Sequence, residues 1–220
     1  MQKFHDPQGY RGRYPWDGSL DLPDSSLAKL DVVVAAVHSH FDLPRQAQTD
    51  RVIRALENRH VSILAHPTAR LIGEPEPYDI DMDRVISTAH KAGCYLEINA
   101  GPDRLDLNDL HAHAAKFAGV KLAVSTDAHS IDAFQCMRFG IDQTRRAWLT
   151  ANDVLNTQPL AELQQAVEAV RVAGRRLVPS TFERMLWCGH GGLRALSLQS
   201  LGDRDSPPNG RSDRRHEGAW

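Results

Sequence analysis

Three short apolar runs, each ending in a histidine, constrain this chain more than any other feature. Residues 32–37 run into His38-Ser39-His40, and residues 61–65 run into His66-Pro67. Residues 122–124 pass through Ser125-Thr126 into Asp127-Ala128-His129. Runs of this length and composition read as strands buried on both faces. The segments between them carry apolar residues at helical spacing, so the expectation is an α/β chain with parallel strands and helical crossovers. In such a fold the C-terminal ends of the strands gather on one side, and the histidines with them.

The remaining elements follow from caps and spacing. Asp24 is placed to open a short helix over residues 24–30, and Thr49 or Asp50 to cap a helix that turns Val52, Ile53 and Leu56 inward. Asp81 or Asp83 opens the next helix and Gly93 closes it; residues 94–99 form a third strand. Asn108-Asp109 caps a helix over residues 110–118 that Gly119 closes. Residues 131–139 read as a short helix, Gly140-Ile141-Asp142 as a brief extended piece, and residues 159–172 as another helix. Residues 1–16 are rich in Gly, Pro, Arg and aromatics without a period and read as an irregular lead-in. From residue 174 onward Arg and Gly accumulate, and residues 174–220 read as a largely disordered tail. The domain proper is residues 17–173.

With 41% hydrophobic residues, 25% charged residues and a net charge of -2, the composition is that of an ordinary soluble protein. It gives no overall basic surface for nucleic acid, although an enzyme that reaches phosphates through bound cations needs none. Cys94, Cys136 and Cys188 are odd in number and lack zinc-like spacing, which points to free thiols and a cytoplasmic location. No stretch approaches the roughly 18 apolar residues of a membrane span, and the N-terminus lacks the apolar region of a signal peptide.

Asp127 and His129, two apart at a strand end, face the same way if the chain stays extended there, and can then share a cation. The plainer alternative is an Asp that caps a helix beside an exposed His. His38 and His66 at neighbouring strand ends favour metal binding, against the alternative of a satisfied structural histidine at His38. His40 lies further into its loop and is assigned to the substrate shell. Arg70 and Arg104 follow strands and either grip phosphate or serve as solvated surface charges. His111 and His113 fall in a helical pattern where positions two apart diverge, so they read as surface or packing residues, as do His60 and His90. Cys188-Gly189-His190 reads as incidental. With no phosphate-cradling glycine loop and no nucleophile elbow, the remaining chemistry is hydrolysis by metal-activated water, with Mn, Zn or Fe as suitable ions.

Several segments in combination resemble one family: Asp17-Gly18-Ser19-Leu20-Asp21-Leu22, residues 37–44 (VHSHFDLP), residues 64–71 (LAHPTARL), Ser125-Thr126-Asp127-Ala128-His129, and Arg146-Ala147-Trp148-Leu149 with Val154-Leu155-Asn156-Thr157. They resemble the C-terminal PHP (polymerase and histidinol phosphatase) domain of bacterial family X DNA polymerases, over about residues 17–170. The resemblance implies a distorted β/α barrel, a multinuclear metal site, and Mn-dependent 3′–5′ exonuclease and phosphoesterase activity. It implies His38, His66, Asp127 and His129 as metal ligands, with His40 and Arg70 in matching motifs. The family's opening His-x-His, and its glutamate ahead of Asp17-Gly18, have no counterpart here.

The expected fold is therefore a partial, N-terminally truncated β/α barrel of PHP type. The expected function is that of a metal-dependent phosphoesterase using Mn or Zn at DNA 3′ ends, either active or an inactive fragment. Two alternatives stand beside it: a small-molecule phosphatase of the histidinol-phosphate type, and a non-catalytic metal-binding or interaction module. The partners implied are a DNA 3′ end or a small phosphate ester, with no membrane. A second copy of the chain or a separately encoded N-terminal part would complete the site.

Overall fold

Apolar strands alternating with amphipathic helices produce a parallel sheet wound in chain order. The computed structural model describes residues 2–4, 18–76 and 78–177. The strands are β1 (Gln2–Phe4), β2 (Val34–Val37), β3 (Ile63–Leu64), β4 (Tyr95–Asn99) and β5 (Leu122–Ser125). Each pairs in parallel with the next, so spatial order and chain order coincide. Helices α1 (Asp24–Leu27), α2 (Arg45–Leu56), α3 (Met82–Ala92), α4 (Asp109–Phe117), α5 (Met137–Arg146) and α6 (Leu160–Leu177) lie between and after them. Strand β1 falls in the stretch expected to be irregular; the rest of that lead-in, residue 1 and residues 5–16, lies outside the described residues, as do Asp17 and residues 178–220, while residues 174–177 of the expected tail continue α6.

The core forms where the helices cover the sheet. Val33, Ala35, Leu64, Leu96, Ile98 and Leu122 are buried against Val52, Leu56, Val85, Ala89 and Ala115. Strand β4 is buried along its whole length, as a central strand covered on both faces must be. It nonetheless carries Glu97, 4% exposed, and Asn99, 2% exposed.

The local signals decide several element ends. Asp81 caps α3 by accepting the Arg84 N–H at 3.1 Å, and Gly93 ends it with φ 72°. Asn108 caps α4 by accepting the His111 N–H at 2.8 Å. Other ends differ from expectation. Helix α2 begins at Arg45, directly after Pro44, rather than at Thr49 or Asp50. The Thr49 hydroxyl is buried and donates to the Arg45 carbonyl at 2.7 Å while accepting the Asp81 N–H at 2.9 Å, so it ties α2 to the cap of α3. Gly140, Ile141 and Asp142 are helical, within α5, and not extended. Gly140 is a close-approach residue: a Cβ there would lie 2.6 Å from Val124 Cγ1 and 2.8 Å from Ala100 Cβ.

Gly18 has a similar role, with φ 72° and an added Cβ that would stand 2.3 Å from the Arg51 carbonyl oxygen. At the far side of the sheet, Leu122 makes a single parallel bridge with Val154. Beside it the Asn156 side chain accepts the Val124 N–H at 3.0 Å and donates to the Val124 carbonyl at 2.8 Å, so one amide stands in for a neighbouring strand. No helix among the described residues is long and apolar enough to cross a membrane.

Candidate functional site

Parallel strands in chain order bring the ends of β2, β3, β4 and β5 to one side, and the loops there are held in unusual backbone shapes. His40 (φ 54°), His66 (30°), Ala69 (51°), Leu105 (45°) and Asp127 (48°) all have positive φ without being glycine. Each such residue costs on the order of 1–3 kcal/mol, and such residues concentrate where side-chain direction matters more than local stability.

His66 is the centre of this arrangement. It is 2% exposed, and its ring meets the His38 ring edge-on with centroids 5.1 Å apart. Burial, with the nearby charges of Arg104 and His38, pushes its pKa down to about 4, so the imidazole is neutral near pH 7. Its Nδ1 atom is buried without a hydrogen-bond partner among the described residues. A neutral imidazole with an unused buried nitrogen suits a metal ion. His38 is exposed at the rim, and His40 is half-buried.

Asp127 and His129 stand at the end of β5. Their approach is 3.9 Å between Asp127 Oδ1 and His129 Nε2, with the His129 side chain 91% exposed. The extended geometry expected for this pair is absent, because β5 ends at Ser125 and Asp127 turns into the left-handed region. The four predicted ligands therefore form two pairs: His38 with His66, and Asp127 with His129. Among the described residues no group of three or more His, Cys, Asp or Glu side chains converges closely enough to hold an ion. The donor chemistry fits a divalent metal in part: the chain offers donors of the right kind at one sheet end but not a closed cage.

Glu97 joins the two halves, and sequence reasoning passed over it. Its Oε2 accepts the His66 N–H at 2.8 Å and its Oε1 accepts the Ser125 hydroxyl, so one carboxylate on β4 spans the ends of β3 and β5. Burial outweighs those two hydrogen bonds and pushes its pKa up to about 7. The Arg51 guanidinium, from α2, donates to the Ser39 carbonyl at 2.8 Å and supports the His38-Ser39-His40 turn.

Arg70 lies beneath the loop after β4, donating through Nε to the Arg104 carbonyl at 3.0 Å and through Nη2 to the Leu105 carbonyl at 2.7 Å. Of the remaining histidines, His113 Nδ1 lies 3.1 Å from the Ala147 carbonyl and His60 is buried. Cys188-Gly189-His190 lies outside the described residues. Beside Thr68, a cavity of about 530 Å³ is lined by Glu76, Asp79, Asp81, Asp83, Arg45 and His111 among others. Four carboxylates against one arginine make it a poor seat for a polyanion.

This chain is similar to a polymerase-linked exonuclease and to probable phosphatases. Over 148 residues it is 43% identical to the DNA polymerase/3′-5′ exonuclease PolX of Bacillus subtilis, an alignment that takes in 67% of this chain and 26% of that protein. Over 152 residues it is 36% identical to a probable phosphatase of Thermoanaerobacter sp., covering 64% of this chain and 59% of that one. A probable phosphatase of Caldanaerobacter subterraneus is 35% identical over 124 residues, 51% of this chain and 46% of the relative. The chain thus spans about a quarter of the first relative and less than two thirds of the others. No family model matches it.

Proposed function

We propose that this chain is a PHP-type phosphoesterase on a partial β/α barrel, dependent on a divalent ion and acting on DNA 3′ ends. The observation that carries the reading is the buried, neutral His66 with its unused Nδ1, set against His38 and clamped through Glu97 to the strand that precedes Asp127. Similarity to a 3′-5′ exonuclease and to probable phosphatases supports hydrolysis at phosphorus.

His38, His66, Asp127 and His129 would hold the ion, manganese or zinc. Such an ion, once bound, lowers the pKa of water and offsets charge on phosphoryl oxygens. The chain's own contribution is to keep His66 unprotonated and to fix the β3 and β5 turns relative to each other. Donors beyond these four come from outside the described residues, including another copy of the chain or a separately encoded segment, and the site operates in the cytoplasm.

A second reading, a phosphatase of small phosphate esters of the histidinol-phosphate type, is favoured by the probable phosphatases, whose length is matched more fully than that of the polymerase. The test is hydrolysis of a single-stranded oligonucleotide from its 3′ end, with Mn and with chelator, beside a small phosphomonoester and a His66→Ala control. Chelator-sensitive cleavage lost in the variant supports the reading, with metal affinity falling about tenfold or more. Turnover of the small ester alone selects the second reading. Absence of both from folded protein rejects hydrolysis.

A further inference from the structure

Among the described residues, Arg51, Arg70 and Arg104 lie at the loops of the histidine-bearing end of the sheet, and the first two are engaged with backbone. Arg51 donates to the Ser39 carbonyl, and Arg70 to the carbonyls of Arg104 and Leu105. Arg104 differs. It is half-buried, yet its guanidinium has neither a hydrogen-bond acceptor nor an ion-pair partner among the described residues. A guanidinium carries five donors in a planar fork, and a partly desolvated one is normally matched by a carboxylate or a phosphate.

Its position is defined by its neighbours. The Thr68 N–H donates to the Asp106 carboxylate at 3.0 Å and Arg70 donates to the Arg104 carbonyl at 3.0 Å, so the loop that carries Arg104 is tied to the turn that follows His66. Arg70 and Arg104 both act on Asp106. Arg70 spends its donors on two backbone carbonyls, and the group with unused donors is Arg104.

The loop that presents it is built to be stiff. The N–H groups of Arg104 and Leu105 both donate to the Gly101 carbonyl at 2.9 Å, and the Ile72 N–H donates to the Asp103 carbonyl at 2.6 Å. Arg70 holds two consecutive carbonyls from below, and Leu105 takes φ 45° to allow it. Fixing the backbone on both sides of Arg104 removes part of the ordering cost that a long side chain pays on binding.

We infer that Arg104 is the anion-recognition residue of this site, donating to phosphoryl oxygens of the substrate, and that Arg70 is the positioning residue that holds its loop. The inference rests on the reading of the site as one for phosphoesters and adds the group that recognises the phosphoryl oxygens. It assigns to Arg70 a role in shaping the loop, with Arg104 making the contact.

The experiment measures inorganic phosphate binding by titration calorimetry on the full chain, with chelator present, for wild type, Arg104→Ala and Arg104→Lys. Hydrolysis of p-nitrophenyl phosphate with Mn is followed in parallel, and thermal melting reports folding. The expected result is at least tenfold weaker phosphate binding in Arg104→Ala, partial recovery in Arg104→Lys, a melting temperature within a few degrees of wild type, and, where turnover occurs, a rise in KM larger than the fall in kcat. Phosphate held by wild type and lost in Arg104→Ala supports the inference even without turnover. Phosphate binding and KM within twofold of wild type in a folded Arg104→Ala overturn it and leave the phosphoesterase reading standing. A wild type that neither binds phosphate nor hydrolyses ester overturns both.

Discussion

Glu97 is the residue whose chemistry is most exposed to test. Its folded-state pKa is raised to about 7 from an ordinary 4.5, so its contribution to stability is fully present below pH 4.5 and is lost as pH rises through 7. Glu97→Gln keeps both contacts, the amide oxygen accepting from the His66 N–H and the amide nitrogen donating to the Ser125 hydroxyl, but removes the titration. In chelator, denaturation curves taken from pH 4.5 to 7.5 should therefore find wild type losing ground to Glu97→Gln by up to roughly 3 kcal/mol. Parallel curves would refute the buried-carboxylate account. His66 acts in the opposite sense: its pKa is lowered to about 4, so its burial costs stability as pH falls from about 6.5 toward 4 in both proteins. The comparison between the two cancels it. The residue scale is also where sequence reading was weakest. An acid in mid-strand, flanked by Leu96 and Ile98, looks like the solvent face of an alternating strand; burial along the whole of β4, with partners at the ends of β3 and β5, makes it a buried clamp. Arg70 and Arg104 look alike in sequence because the acceptors that separate them are backbone carbonyls.

At the scale of elements, the signals that were legible are the ones written within four residues. Asp81, Gly93, Asn108 and Gly119 cap or close their helices because a cap needs only its own turn. The strands that lead to His38, His66 and Asp127 were legible as well, although β2 and β3 are shorter than their apolar runs; residues 61–65 yield only Ile63–Leu64. Gly140 was misread because a glycine chosen for close packing and one chosen to break a helix are identical in sequence. The two can be told apart by measurement. An exposed helical Gly→Ala change gains about 1 kcal/mol. At Gly140 the added methyl meets Val124 at 2.6 Å and Ala100 at 2.8 Å, closer than carbon atoms tolerate, so packing strain of about 1–3 kcal/mol should outweigh the gain. Urea denaturation of Gly140→Ala is expected to give a lower midpoint than wild type. A higher midpoint would mean that α5 is not pressed against the ends of β4 and β5.

For the whole molecule, the question is what guards the edge of a sheet that grows in one direction. On the β5 side the guard is Asn156, whose amide satisfies both backbone groups of Val124, with the Leu122–Val154 bridge beside it. An unpaired strand edge invites another chain. Asn156→Ala leaves one N–H and one C=O without partners, at a cost of about 2 kcal/mol, and should raise the tendency to associate. Sedimentation and light scattering at increasing concentration check this; a variant as stable and as monodisperse as wild type would show that the edge is protected in another way. The strict agreement of spatial order with chain order has a consequence for synthesis. As the chain leaves the ribosome, β3, β4 and β5 each find the preceding strand already made, so the sheet can be laid down as it is translated. The outer edge of β5 is the exception, since Asn156 follows Val124 by 32 residues. Until those residues emerge, the nascent sheet ends in an open row of donors and acceptors, and the interval of greatest exposure to misassembly is set by where one asparagine falls in the reading order.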